Sequence, residues 1–147
     1  MQAPVSPNGF KRYFSLEEAV SMLPEIERAL RKAHAEVNEL RDDAILFKRV
    51  LIARQENGMK PLEAEVTLLH EKFEAFEQIC TRWVSYFADQ GIILRNLETG
   101  LMDFPYRSRR TNQDYLLCWR LEEDGIFYFH SISDGFSGRH PISLLPD

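Results

Sequence analysis

The chain has 147 residues, of which 44% are hydrophobic and 28% are charged. These values are typical of a single soluble domain, with room for a small appendage. A net charge of −5 without a basic face argues against a nucleic-acid-binding protein. The sequence also lacks the run of about 20 apolar residues that a membrane span needs, and from its N-terminal residues we expect no secretory signal.

The first elements are defined by a capping pattern and a proline. Residues 1–14 are predicted to be a flexible tail. Ser15 and Glu18 then form a capping box, in which each side chain accepts a hydrogen bond from the other residue's backbone amide. A short helix at 16–22 should follow. We expect Pro24 to end or kink it, because proline lacks the N–H of a helix interior, and to start a long helix at 24–56.

Two apolar ladders with heptad spacing dominate the next part of the chain. The first consists of Ile26, Leu30, Ala33, Val37, Leu40, Ala44, Phe47 and Leu51, and the second of Leu62, Val66, Leu69, Phe73, Phe76, Cys80, Trp83 and Phe87. If the chain folds back between them, facing positions have numbers that add up to 113. We therefore predict a long, coiled-coil-like antiparallel helical hairpin over 15–90, with its second helix at 61–90.

A second set of apolar side chains lies outside these ladders. It consists of Ile45, Leu46, Val50 and Ile52 on the first long helix and Leu68 on the second. A two-helix hairpin cannot bury two faces by itself, so either the C-terminal segment or a second copy of the protein must cover them. We expect a homodimer through the hairpin and also consider a different protein partner.

From Gly91 onward the pattern becomes strand-like. Strands are predicted at 92–97, 101–104, 114–121 and 126–130, with Pro105 stopping the second strand and a loop-like, glycine-rich tail after the fourth. The fold class is therefore α+β. The hairpin is followed by a small β-rich module at 91–147, with an antiparallel sheet of three to four strands.

Several short motifs carry a resemblance to a known family. They are Phe14-Ser15-Leu16-Glu17-Glu18-Ala19 with Leu23-Pro24, Leu97-Glu98-Thr99-Gly100-Leu101 with Asp103-Phe104-Pro105, Leu117-Cys118-Trp119-Arg120, His130, and Gly135-Phe136-Ser137-Gly138-Arg139-His140-Pro141. From about residue 12 to 142 the chain resembles the bacterial family catalogued as domain of unknown function 2203. The resemblance implies a cytoplasmic bacterial protein with a hairpin and this C-terminal signature, and it implies no catalytic residue.

The best candidate for a binding site lies at the end of the fourth predicted strand. His130 would act there as a base or ligand and Arg139 as an anion-binding fork, with Asp103 and Glu123 on neighbouring strands. The alternative is structural. In that case Arg139 forms an ion pair with Asp103 or Glu123, and His130 hydrogen-bonds a loop carbonyl.

Other chemistries have weaker support. A metal site would combine His130, Asp134 and His140 with Asp103 or Glu123, but the chain has no HxH, HExxH or CxxC spacing, so we expect no metal and no cofactor. Cys118 is a poor candidate for a nucleophile, because nothing around it in the sequence would lower the pKa of its thiol. Cys80 and Cys118 lie at apolar positions of different elements and indicate reduced cytosolic thiols.

Two functional hypotheses follow from the sequence. In the first, the protein is a homo-oligomeric structural or protein-interaction module. In the second, it is a small ligand-binding protein or enzyme with a site around His130 and Arg139. Whether the chain is an enzyme stays open.

Overall fold

The computed structural model describes residues 8–135 and 138–147. The first seven residues of the expected tail, and Phe136 and Ser137 of the C-terminal signature, lie outside this part. The chain forms two compact units, one from residues up to Leu30 together with Val84–Asp147, the other from Arg31–Trp83. The division expected from the sequence, into 1–14, 15–90 and 91–147, stays a prediction.

Helix α1 (Leu16–Glu56) is continuous and contains Pro24 in its interior. The sequence had predicted a short helix at 16–22 and a separate one from 24. An interior proline costs about 3 kcal/mol, because it removes one hydrogen bond and crowds the preceding turn. Leu23 and Ile26 on either side of Pro24 are buried in the core of the first unit. Each such side chain contributes roughly 1.5–3 kcal/mol, so the two together offset the cost of the proline.

The segment before α1 lies against the sheet instead of forming a loose tail. The Phe14 ring is buried and meets the Phe104 ring edge-on, with centroids 5.3 Å apart. The Tyr13 hydroxyl donates to an Asp114 carboxylate oxygen at 2.9 Å. Ser15 and Glu18 form the expected capping box, since the Glu18 amide donates to Ser15 Oγ at 3.0 Å and the Ser15 amide donates to Glu18 Oε1 at 3.3 Å.

The second unit is an antiparallel helical hairpin made by α1 and α2 (Glu63–Ala88). Three pairs of side chains join its arms. From one pair to the next, the residue number on α2 falls as the residue number on α1 rises. They are Trp83 Nε1 to Glu36 at 2.9 Å, Lys72 Nζ to Asp43 at 2.6 Å, and the ion pair of Arg54 with Glu65. This order confirms the antiparallel hairpin. The residue-by-residue pairing of the ladders and the coiled-coil geometry stay predictions.

The two arms of the hairpin differ in how well their ladders are covered. On α1, the ladder residues Ala33, Val37, Ala44 and Leu51 are buried. On α2, which the structure describes throughout, Phe87 is the only buried residue, and it belongs to the first unit. The off-ladder residues Leu46, Val50, Ile52 and Leu68 are exposed, as are the ladder residues Leu62 and Val66 at the start of the second arm. Neither helix contains a stretch apolar and long enough to cross a bilayer.

The sheet has five antiparallel strands in the order β1-β2-β3-β4-β5. They are β1 (Ile93–Asn96), β2 (Leu101–Arg107), β3 (Asp114–Trp119), β4 (Tyr128–Ser131) and β5 (His140–Pro141). This confirms the α+β class, with one strand more than the expected three to four. The additional strand comes from the tail, where a loop was expected, because Pro141 pairs with Tyr128 and His140 with Phe129.

Strand β2 continues through Pro105, where the sequence had predicted its end. In an antiparallel sheet, the N–H and C=O of one residue point to the same side. The Pro105 carbonyl accepts a 2.7 Å hydrogen bond from the Phe14 amide. The nitrogen of Pro105 therefore also faces Phe14 and not β3, so the missing N–H leaves the β2–β3 ladder intact.

The sheet has two different faces, because side chains alternate along each strand. One face carries Met102, Phe104, Leu117, Trp119 and Phe129, all of them buried, and its Phe104 ring meets the ring of Phe14. The strand register places Asp103 opposite Cys118 and His130 opposite Leu116, so these side chains share the other face. Asp103 and His130, which are polar and buried, therefore lie on the opposite face from Met102 and Phe104.

Candidate functional site

Three buried polar side chains meet on the sheet face opposite Met102 and Phe104, each from a different strand. Asp103 lies on β2, Cys118 on β3 and His130 on β4, with exposed fractions of 2%, 1% and 3%. A carboxylate oxygen, the sulfur and a ring nitrogen of these residues lie within 4.8 Å of one another. A buried charge is costly unless it is paired, so this cluster must satisfy its own polar atoms.

Both ring nitrogens of His130 have acceptors. Nδ1 lies 2.8 Å from the Ser131 carbonyl oxygen, and Nε2 lies 3.0 Å from Asp103 Oδ1. A carbonyl oxygen can only accept, so Nδ1 carries a hydrogen. The hydrogen bond with Asp103, and then the one with Cys118, raise the pKa of His130 to about 10, against the opposing effect of burial. At neutral pH the ring is therefore an imidazolium that faces the Asp103 carboxylate.

Arg95 completes the pairing of Asp103. Its Nε donates to Asp103 Oδ2 at 2.8 Å, while Oδ1 faces the His130 ring. Arg95 is positioned by an irregularity between β1 and β2, where the register shifts between Leu94 and Asn96. A β-bulge of this kind turns the strand locally and redirects a side chain. The Asp103 carboxylate is thus held between two cationic groups, one buried and one half exposed.

A cavity of about 390 Å³ opens beside this cluster. Asp103, Cys118 and His130 form part of its wall together with Arg95, and residues 132–135 of the loop after β4 form another part. Its volume is within the range of small-molecule sites in proteins. The cavity therefore connects a buried, charged cluster with solvent.

Arg139 and Glu123, the other two residues of the predicted site, pair with each other. Arg139 Nη2 lies 2.9 and 3.0 Å from the two carboxylate oxygens of Glu123, and both side chains are largely covered. The guanidinium also stacks over the Tyr128 ring at 4.1 Å. Among the described residues, neither Arg139 nor Glu123 lines the cavity beside His130.

The four predicted residues thus form two pairs, Asp103 with His130 and Glu123 with Arg139. The structural alternative from the sequence had two parts, an ion pair of Arg139 and a hydrogen bond from His130 to a loop carbonyl. The Arg139–Glu123 pair corresponds to the first part, and the contact of His130 with the Ser131 carbonyl to the second. Ligand binding by any of the four stays a prediction.

The remaining candidates are placed as follows. Asp134 lines the cavity, and its Oδ2 accepts a hydrogen bond from Ser131 Oγ at 2.8 Å. His140 is exposed on β5, where its ring lies 5.7 Å from that of Phe129. Cys80 belongs to the hairpin unit, and both cysteines are free thiols, as predicted.

Sequence reasoning missed two parts of the site. These are Arg95 and the presence of Cys118 in the cluster with Asp103 and His130. An arginine within an apolar strand was the available signal for the first. The pairing of Cys118 with Asp103 across two strands depends on the register and has no local signal.

Comparison with known proteins defines the family of the chain. No curated protein and no solved structure matches it significantly. The family model described as "Uncharacterized conserved protein (DUF2203)" matches residues 12–142, which is nearly the whole chain. That match includes the motifs at 14–24 and 97–105, the paired Asp103 and His130, and the C-terminal signature. The chain belongs to the DUF2203 family of uncharacterized conserved proteins.

Proposed function

We propose that the protein is a homo-oligomeric interaction module in which the hairpin pairs with the hairpin of a second copy. The observation that supports this most directly is the incomplete burial of the second arm. Leu69, Phe73 and Phe76 occupy ladder positions of α2, yet all three are only half-buried. Apolar area removed from water contributes roughly 25 cal/mol per Å², so covering this helix would favour association.

The exposed apolar side chains extend this surface around the hairpin tip. Leu46 is 63% exposed and Leu62 66% exposed, and Val50, Ile52 and Leu68 are exposed beside them in sequence. Apolar patches of this kind on a soluble chain mark interaction surfaces more often than chance. An unpartnered helix pair can become a four-helix assembly when two copies pack side by side.

The charge distribution favours a second copy over an unrelated partner. Residues 44–60 of α1 and its following turn carry four basic and one acidic side chain, a net charge of +3. Residues 61–83 carry two basic and five acidic side chains, a net charge of −3. A two-fold axis between two hairpins would bring the basic arm of each copy beside the acidic arm of the other.

Side chains suitable for such contacts are available on both arms. Lys48 and Arg49 on α1 and Glu71 and Glu77 on α2 make no ion pair with other described residues. Their charges are thus available for contacts between copies, where complementary charges set the partner and its orientation.

The test is the mass of the full chain in solution. Light scattering and sedimentation at micromolar concentration should give twice the 17.2 kDa chain mass. Leu46→Asp should dissociate the dimer by placing a charge in the apolar contact. Leu144→Asp is the matched control, because Leu144 is 65% exposed and lies outside the hairpin, so its dimer should persist.

A charge reversal tests the arrangement of the two copies. Arg49→Glu should weaken the dimer, and a chain that also carries Glu71→Lys should regain much of the loss. A monomeric wild-type protein would refute the proposal, as would a dimer that survives Leu46→Asp but dissociates with Leu144→Asp. Binding of the hairpin to a different protein by a monomeric chain would count against it in the same way.

A further inference from the structure

The cluster of Asp103, Cys118 and His130 contains the ligand types of a transition-metal site. A carboxylate, a thiol and an imidazole come from three adjacent strands, and their donor atoms lie within 4.8 Å of one another. Ligands bonded to Zn²⁺ at 2.0–2.3 Å in a tetrahedron stand about 3.3–3.8 Å apart. The Nε2 to Oδ1 distance of 3.0 Å is a few tenths shorter, so an ion could enter with a small movement of either side chain.

The orientation of His130 distinguishes a metal site from a nucleophilic triad. A Cys–His–Asp triad needs the thiol at one ring nitrogen and the carboxylate at the other. In this protein Nδ1 is engaged by the Ser131 carbonyl at 2.8 Å. Asp103 and Cys118 must therefore share Nε2. Convergence of all three donors on one point suits an ion at that point and does not suit proton transfer along a chain.

The surrounding hydrogen bonds are those that orient metal ligands. A metal-bound histidine usually donates its other ring N–H to a backbone carbonyl or a carboxylate, and a ligating carboxylate is itself held by a hydrogen bond. Nδ1 of His130 donates to Ser131, and Arg95 Nε donates to Asp103 Oδ2 at 2.8 Å. Both contacts leave Nε2 and Oδ1 facing each other inside the cluster, where an ion would take the place of the hydrogen between them.

We propose that Asp103, Cys118 and His130 bind a divalent transition-metal ion, with Zn²⁺ as the best fit. The mixed nitrogen, oxygen and sulfur donors match the preference of Zn²⁺ and exclude Mg²⁺ and Ca²⁺, which take oxygen ligands. A thiolate and a carboxylate balance the two positive charges of the ion.

The fourth coordination position faces the cavity of about 390 Å³. Three protein ligands and one open position are typical of ions that bind water or a small molecule, whereas purely structural zinc sites have four protein ligands. The ion would thus be the attachment point for a ligand in the cavity. This inference goes beyond the proposed oligomer and does not depend on it, since the cluster and the hairpin tip lie in different units.

The experiment measures uptake of the metal alone by the full chain. The protein is stripped with a chelator, dialysed and titrated with Zn²⁺ against a competing indicator. A parallel titration uses Co²⁺, because cobalt bound to a thiolate absorbs in the near ultraviolet. We expect one ion per chain, a cobalt–thiolate band, and a higher Tm in the presence of Zn²⁺.

Matched variants locate the ion. Cys118→Ser should abolish the cobalt–thiolate band, whereas Cys80→Ser should leave it unchanged, because Cys80 lies in the hairpin unit. His130→Gln should lose tight uptake and His70→Gln should keep it, since His70 is exposed on α2. Arg95→Leu removes an orienting hydrogen bond and should weaken Zn²⁺ binding about 10–100-fold.

Each alternative result overturns the proposal. Folded protein that takes up no ion at micromolar concentration would do so, and so would a band that persists in Cys118→Ser or disappears in Cys80→Ser. If Cys118→Ser does not fold, Asp103→Asn tests the same site, because it keeps the shape of the side chain and removes its charge. Unchanged Zn²⁺ affinity in folded Asp103→Asn would exclude Asp103 as a ligand.

Discussion

The buried pair of Asp103 and His130 should show strong energetic coupling in the metal-free chain. Their side chains are 3% and 4% exposed, and Nε2 lies 3.0 Å from Oδ1. Removing one partner of a buried ion pair typically costs 3–5 kcal/mol, because the other charge is left unpaired. We therefore expect Asp103→Leu to cost about 4 kcal/mol in free energy of unfolding. His130→Leu should cost less, about 2–3 kcal/mol, because Arg95 still pairs Asp103.

The double variant distinguishes pairing from general disruption. With both charges removed, neither residue leaves an unpaired partner in the core, and the adjoining cavity can accommodate the added volume. Replacing a buried pair by apolar residues is often close to neutral. The double variant should thus cost at least ~2 kcal/mol less than the sum of the two single variants.

The assay is urea unfolding with a chelator present, in a Trp83→Phe background. The chain has two tryptophans, so this background leaves Trp119, which is buried in the first unit, as the reporter. The same cycle on Lys11 and Asp89, which are 67% and 79% exposed at 4.0 Å, is the control. It should give a coupling below about 0.5 kcal/mol. Additive costs at Asp103 and His130 would refute the interpretation of this contact as a buried ion pair.

Two further predictions concern Gly100 and the buried Phe104, both in the first unit. Gly100→Ala should cost about 2–5 kcal/mol, because φ is +69° and a Cβ would lie 2.8 Å from the Leu121 Cβ. Gly58→Ala, with φ of +82° and open space around it, should cost about 1–2 kcal/mol, and equal losses in urea unfolding would contradict the steric argument. Phe104→Ala should cost about 3–5 kcal/mol, since Phe104 is fully buried against Phe14. Phe127→Ala, at a half-exposed ring, should stay below about 1 kcal/mol, and the reverse order would refute this assignment of the core.

The elements with a strong local pattern could be predicted from the sequence. The heptad ladders indicated the hairpin, and the alternation after Gly91 indicated four of the five strands. The prediction failed at Pro24 and Pro105. At both positions the local rule for proline is correct, but tertiary contacts decide the result. The side chains of Leu23 and Ile26 are buried on either side of Pro24. The Phe14 amide donates to the Pro105 carbonyl.

The site could be predicted only in part, because the strand register brings its members together. Asp103 and His130 are 27 residues apart and meet across β3. Cys118 looked like an ordinary core thiol, since its neighbours in sequence are apolar. Arg139 was grouped with His130 because of proximity along the chain, but Glu123 at the preceding turn is its partner. Charged residues close in sequence are thus a weaker guide than facing positions on adjacent strands.

The contact between Phe14 and Pro105 also bears on how the protein avoids aggregation. β1 pairs with β2 only from Leu101 to Asp103, so the rest of that side of β2 would be an open strand edge. Such an edge can template pairing with strands of other molecules. Pro105 has no N–H to offer there, and its carbonyl is occupied by the Phe14 amide. At the opposite side of the sheet, β5 is two residues long and ends in Pro141. The part of β2 beyond its pairing with β1, and the edge at β5, are therefore poor templates for intermolecular β-pairing.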